Sequence, residues 1–258
     1  MTPDPSRSNA PARARRAWRR RLAVVVGLVG FLLTLVAGTA LAHPLGSFTV
    51  NTAGVLRVAP DRIRVDVVVD FAEIPTAQAR PAVEAAGPAV WRNWECARIA
   101  GDVRLTVAGA PARLNATGGA LTFPPGQAGL STARLVCRYA TAPTPGLLGA
   151  GGADIAYELR AYTGRAGWGE TVAVGDAATI VRSDVPNRSA SALLTAYPTD
   201  PLAGRSDVTH AALRARPGGP VAPDPFPDVP GDAGADAAGV PTAASADAQA
   251  VSRAGNGG

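Results

Sequence analysis

The sequence predicts a mainly β protein: an antiparallel β-sandwich-like domain with one or two short helices, preceded by a signal or anchor helix and followed by a disordered tail. Three observations carry this expectation. Segments of strict apolar/polar alternation recur along the middle of the chain, clusters of Gly and Pro separate them, and the only two cysteines fall inside the alternating region. Alternation with a period of two places successive side chains on opposite faces of a strand. One apolar and one polar face per strand suits antiparallel pairing. About seven such strands with turns between them is the pattern of a sandwich or small barrel.

In chain order, Phe48 and Val50 start a short strand, and Asn51-Thr52-Ala53-Gly54 reads as a turn after it. In residues 61–71, Ile63, Val65, Val67, Val69 and Phe71 share one face, while Arg62, Arg64, Asp66 and Asp70 share the other, a solvated one. Between Ile74 and Ile99 the pattern turns helical, with breaks expected at Pro75, Pro81 and Pro88. Trp91, Trp94 and Arg98 fall on one helical face there, which reads as packing. Further strands are expected around Val103–Val107, Ala133–Tyr139, Ile155–Ala161 and from Trp168 through Val174 to Ile180. A short helix is expected near Ser189–Tyr197, capped by Asn187 or Ser189.

Cys96 and Cys137 close a loop of about 40 residues, and an even cysteine count in an exported protein reads as a disulfide. Cys137 lies on the inward face of its strand, so a buried bridge is geometrically easy; two buried free thiols are the alternative. From Pro217 the composition shifts to Pro, Gly, Ala and Asp. Such a segment buries too little apolar surface to offset its ordering entropy. The expected organisation is therefore residues 1–42 as signal peptide or signal anchor, 43–210 as the β-rich domain and 211–258 as a disordered tail.

The net charge of +5 is misleading. The first 21 residues hold seven of the 25 basic residues against the single acid Asp4, which leaves the remainder close to neutral. The basicity belongs to a targeting segment and is no nucleic-acid footprint. Leu22 to Ala42 is an uncharged run of 21 residues, and Ala40-Leu41-Ala42 supplies the small-x-small pattern of a cleavage site. The basic flank stays on the cytoplasmic side, so the chain beyond Ala42 faces outward. An uncleaved anchor is the alternative, because 21 helical residues just span a bilayer.

Little in the chain points to catalysis. Two histidines, His43 and His210, leave no credible Ser-His-Asp or Cys-His set, and no enzymatic activity is expected. The Gly-rich stretch Pro145–Gly152 has no Lys or helix after it and reads as a surface loop. The sequons at Asn115 and Asn187 matter only where N-glycosylation operates. Cleavage after Ala42 would make His43 the N-terminus. Its α-amine and imidazole would then form a bidentate chelate suited to Ni²⁺ or Cu²⁺.

Several stretches carry a resemblance. His43-Pro-Leu-Gly-Ser-Phe-Thr-Val-Asn51 resembles the opening of the extracytoplasmic domain on actinobacterial nickel/cobalt transporters of the high-affinity nickel-transporter type. Asp70-Phe-Ala-Glu-Ile-Pro-Thr-Ala-Gln78 and Pro125–Leu135 are similar to the family's next signatures. Gly167-Trp-Gly-Glu170, Ser183–Ser191 and Tyr197-Pro-Thr-Asp-Pro201 resemble its late segments. The resemblance implies an accessory domain of nickel/cobalt transport facing the cell-wall space, with a polytopic metal permease as partner. Ni²⁺ or Co²⁺ is the implied cargo. After Ala42 no apolar run exceeds a strand's length, so this stretch of chain does not itself form a permease path of spanning helices. An exported structural or protein-interaction domain with no metal role is the alternative.

Overall fold

The computed structural model describes residues 46–198 and 206–230. The Arg-flanked apolar segment, Ala40, Ala42 and His43 lie outside the described residues, as do 199–205 and 231–258. Among the described residues, no helix is long and apolar enough to cross a membrane.

The described residues form two five-stranded sheets. The first contains β1 (Val50–Val58), β2 (Ile63–Phe71), β5 (Asn115–Thr122), β6 (Ala133–Ala140) and β8 (Gly169–Gly175), in the order β5-β6-β2-β1-β8. The second contains β3 (Val103–Val107), β4 (Ala110–Pro111), β7 (Ala153–Leu159), β9 (Ala178–Ser183) and β10 (His210–Pro217), in the order β4-β3-β7-β10-β9. Two helices, α1 (Glu73–Ala86) and α2 (Pro88–Gly101), connect β2 in the first sheet to β3 in the second. The expected mainly β architecture is observed, with more strands than the alternation revealed. Pairing is antiparallel except for β1 and β8, which run parallel.

The apolar face read from residues 61–71 is the inner face of the first sheet. Ile63, Val65, Val67 and Val69 are fully buried there, with Leu56, Val58, Leu135 and Tyr139 from β1 and β6. Leu105, Ile155, Tyr157, Leu159 and Leu213 join them from the second sheet. Complete burial of each such side chain contributes roughly 1.5–3 kcal/mol, so this layer is the main source of stability. Cys96 on α2 and Cys137 on β6 are joined by a disulfide with Cα atoms 5.5 Å apart. The Tyr139 hydroxyl donates to the Cys96 carbonyl at 2.6 Å, a second tie between the same helix and strand.

Several expectations are corrected. Residues 51–54 are not a turn: β1 runs unbroken through them. Gly54 is there because the Tyr157 ring reaches across the core, and a Cβ at position 54 would lie 2.7 Å from its hydroxyl oxygen. Pro75 and Pro81 do not break α1. Pro75 sits in the first turn, where the backbone N–H has no intrahelical acceptor anyway, and Pro81 is tolerated inside the helix. The break comes at Gly87, whose φ of 83° ends α1 before Pro88 opens α2. Trp91 does pack, edge-on to Phe71 with centroids 6.4 Å apart, whereas Trp94 is 63% exposed. No helix forms near Ser189–Tyr197; Ala192, Leu193 and Leu194 take positive φ in a left-handed turn.

The largest correction concerns the expected tail. Residues 210–217 are β10, an interior strand of the second sheet paired with both β7 and β9. Ala211, Leu213 and Ala215 alternate inward there, a short pattern of small residues easily missed beside the Pro- and Gly-rich sequence after it. Beyond it, residues 218–230 lie as an irregular strap whose Asp224, Phe226 and Val229 bind the outer face of the first sheet.

Candidate functional site

The outer face of the first sheet carries the polar alternates of its strands. These include Asn51, Arg57, Asp66, Asp70, Arg134, Arg138 and Glu170. The register places Arg138 beside Asp66, and Arg134 beside Asp70. The expected solvated face is instead covered. Asp66 is 1% exposed and Asp70 8%, because the 185–198 loop and the strap lie over them. Ala53, Val68, Val136 and Trp168 form an apolar floor between the charges, against which Leu194, Tyr197, Phe226 and Val229 pack.

Three polar clusters hold this cover down. In the first, Arg138 donates from Nε to Asp66 Oδ1 at 3.1 Å and from Nη2 to both oxygens of Asp224 at 2.8 and 2.9 Å. Its Nη1 donates to the carbonyls of Phe226 and Val229 at 3.3 and 2.9 Å. Arg57 Nη2 lies 3.3 Å from Asp66 Oδ2, an ion contact without hydrogen-bond geometry, and Arg57 Nε has no acceptor among the described residues. Burial pushes the Asp66 carboxyl above its ordinary value and outweighs the pull of Arg57 and Arg138. Asp224 goes the other way. Its slight burial is overcome by the Phe226 N–H and by the two guanidiniums, so it is held below the ordinary value.

In the second cluster, Tyr197 donates to Asp70 at 3.1 Å and Arg134 donates to the Leu193 carbonyl at 2.7 Å. Burial lowers the Arg134 pKa, with Asp70 and Tyr197 partly opposing it. Burial likewise pushes the Tyr197 hydroxyl far up, with Asp70 adding to the effect.

In the third, the buried Glu170 carboxylate gathers five donors. Ser189 Oγ and Ser191 Oγ donate to Oε1, the latter at 2.8 Å. Trp168 Nε1 and the Ala190 and Ser191 amides donate to Oε2 at 3.2, 3.2 and 3.3 Å. The same two serine hydroxyls accept from the Leu193 and Leu194 amides at 2.6 and 2.8 Å. A left-handed turn of Ala and Leu is strained by Cβ crowding, and this double clasp is what holds it. Asn51 completes the connection by accepting the Trp168 amide at 2.8 Å.

Nearby, Glu73 is 1% exposed and accepts the Gln127 amide at 2.9 Å, while its Oε2 has no hydrogen-bond partner among the described residues. Segments far apart in the sequence thus meet in space. Asp70 and Tyr197 pair, Glu73 meets the Gly126-Gln127 turn, and Trp168 and Glu170 meet Asn51 and the Ser189–Ser191 segment. Beside the strap a groove of about 920 Å³ stays open, bounded by Val55, Arg57, Val172, Val174, Arg188 and Val221 among others.

Of the residues singled out in the sequence, Cys96 and Cys137 come together as a structural bridge. His43 lies outside the described residues, and His210 is exposed on β10. The Gly-rich stretch at 145–152 is a turn-rich loop anchored by the buried Leu148. Among the described residues there is no group of three or more His, Cys, Asp or Glu side chains positioned to hold a metal ion. The sequence reading missed Arg57, Arg138 and Asp224, although an arginine and an aspartate on the nominally wet sides of adjacent strands were a signal of pairing. No family model matches this chain, and a search of curated proteins finds no match.

Proposed function

We propose that the chain is an extracytoplasmic accessory domain that works by holding another protein, and that it serves nickel/cobalt transport without being the permease. The observation that carries the reading is the meeting of distant segments on one sheet face. Asn51, Asp70, Glu170, Ser191 and Tyr197, which fall in stretches that we read as similar to segments of the extracytoplasmic domain of nickel/cobalt transporters, share one covered face. The buried disulfide is compatible with an oxidising compartment. The Arg-flanked run Leu22–Ala42, as signal or anchor, supplies the route there.

The chemistry of the face favours protein contact over metal capture. Asp66, Asp70 and Glu170 each already hold donors, so none offers a free carboxylate to a divalent ion. Metal contact falls to His43 with its α-amine, freed by cleavage after Ala42. The partner is a polytopic metal permease in the same membrane. Deleting the gene and measuring cell-associated nickel and cobalt tests the setting: altered accumulation of either metal, restored by the full chain, is expected. Unchanged accumulation of both would leave an exported interaction or structural domain with no metal role. Titrating Ni²⁺, Co²⁺ and Cu²⁺ into protein beginning at His43, and into protein carrying one residue before it, tests the chelate separately. Equal affinity in the two forms would remove His43.

A further inference from the structure

We infer that the outer face of the first sheet is a peptide-binding groove, that the strap Pro223–Val229 is its resident occupant, and that it takes in trans a Pro-spaced partner segment with an aspartate two residues before an aromatic. The inference rests on the protein-binding reading above and names the chemistry of the partner.

The strap is held as a ligand is held. It contributes no strand to either sheet. Its prolines at 223, 225 and 227 remove backbone donors and favour an extended chain with little entropy left to lose. One buried arginine reads it in three ways. Arg138, its side chain 6% exposed, grips the Asp224 carboxylate with one nitrogen and the Phe226 and Val229 carbonyls with another. A planar guanidinium in that arrangement recognises a carboxylate and the direction of the chain that carries it. Two residues on, Phe226 enters the apolar floor of Ala53, Val68, Val136 and Trp168.

Charge identifies the occupant as anionic. Beneath the strap two guanidiniums, Arg57 and Arg138, face one carboxylate, Asp66. Asp224 supplies the second negative charge, so a groove vacated by the strap would set two guanidiniums against one carboxylate. Arg57 also lines the open part of the groove, and its buried Nε has no acceptor among the described residues. Among the described residues no Asp or Glu lines that 920 Å³ space, whereas Arg57 and Arg188 do, together with Arg182, which is paired with Asp154; this favours a partner segment longer and more acidic than the strap. The strap and such a segment compete for Arg138, so the domain binds only a partner able to displace its own chain.

A fluorescein-labelled peptide with the sequence of residues 220–230 tests this by anisotropy against the full chain in mild detergent. Two forms vacate the groove: the Asp224→Ala/Phe226→Ala double variant, and a chain with a protease site inserted at Gly218-Gly219 and then cut and freed of its strap. The second keeps the test decisive should the first misfold. Saturable binding is expected in both, with affinity at least about tenfold above that of the intact chain, whose tethered strap competes at high effective concentration. Changing the residue equivalent to Asp224 in the peptide to asparagine, or that equivalent to Phe226 to alanine, should abolish binding. No binding to either vacated form, or equal binding to vacated and intact forms, would overturn the inference. So would a dimer of the intact chain that the double variant abolishes, because the groove would then belong to a second copy. Peptide binding reads the groove alone and metal accumulation reads the transport setting, so either can fail without the other.

Discussion

Reducing the Cys96–Cys137 bridge should cost this domain about 4 kcal/mol. The linked residues are 41 apart in sequence, and the loop between them contains β3, β4 and β5. In the chain-entropy treatment, cross-linking a loop of about 40 residues withdraws roughly 13 cal/mol/K from the unfolded ensemble, which is about 4 kcal/mol at 25 °C. For a domain of roughly 150–250 residues each kcal/mol moves the midpoint by about 2–4 °C, so Tm should fall by about 8–16 °C. Both half-cystines are buried, at 4% and 0% exposure, so reductant added to folded protein will act slowly. The comparison should therefore use protein reduced while unfolded and refolded in dithiothreitol. Urea titration adds a second reading. The freed unfolded chain exposes more surface, so the m value should rise together with the fall in ΔG. A loss below about 1 kcal/mol with an unchanged m value would refute the reasoning. It would mean that α2 and β6 are positioned by the Tyr139–Cys96 hydrogen bond and core packing alone.

Three other outcomes rest on single contacts. Gly54→Ala should destabilise by about 1–3 kcal/mol by overpacking against the Tyr157 ring. Tyr157→Phe, which removes a buried hydroxyl with no hydrogen-bond partner among the described residues, should be near neutral. Because ring carbons still lie 3.2 Å from the new methyl, the double variant should recover only part of the loss; thermal melts of the four proteins measure the coupling. Glu170→Gln should cost about 2–4 kcal/mol, because the amide turns a donor toward hydroxyls and amides that need an acceptor; denaturant titration, with Trp168 fluorescence as reporter, reads it. Acid should release the strap before the domain melts. Asp224 has a depressed folded pKa, so its contribution is full above the ordinary aspartate value near about 4 and is lost as pH falls through the depressed one. Asp66 has the opposite sign: its raised pKa means that protonation, as pH falls, favours the folded state. Ring resonances of Phe226 should therefore move toward unfolded positions as pH falls below about 4, while methyls of Ile63 and Leu135 stay native. Simultaneous loss of both sets would contradict this.

The inner half of the sandwich was legible because a single rule governs it. Ile63 to Phe71 alternates over nine residues, and one buried face is all that alternation encodes. The disulfide was legible from the even cysteine count expected of an exported chain, and Cys137 falls in phase with Leu135 and Tyr139 on the buried face of β6. Errors came where a local signal competed with a distant contact. Asn51–Gly54 has turn composition, yet Gly54 is required by a tyrosine about a hundred residues away, and pairing on both flanks keeps β1 straight. Pro81 should disfavour a helix by local rules, and α1 survives it. Ser189–Tyr197 has a helix-capping serine and helix-forming Ala and Leu. Both serine hydroxyls, however, are committed to Glu170, and the backbone turns left-handed around that carboxylate.

The candidate site was hidden by a property of alternation itself. Polar residues on one side of a strand signal water in a two-layer sandwich, and Arg57, Asp66, Asp70, Arg134 and Arg138 fit that expectation. They fit equally well a third layer that meets them with its own charges and hydrogen-bonding groups. Only the covering segments distinguish the two cases, and both look like loop in sequence. One is the serine-rich stretch before Tyr197; the other is the proline-rich run from Pro217, whose composition says that it cannot build a core. That statement is true and insufficient. A segment unable to fold by itself can still dock on a surface that supplies its apolar floor and counter-charge. In the strap the ordering contacts are one aspartate, one phenylalanine and two carbonyls, all met by residues that β2, β6 and their neighbours already hold in place. Binding here therefore depends on a preformed sheet face and a short anionic, aromatic segment, and the physics does not distinguish whether that segment arrives in the same chain or in another.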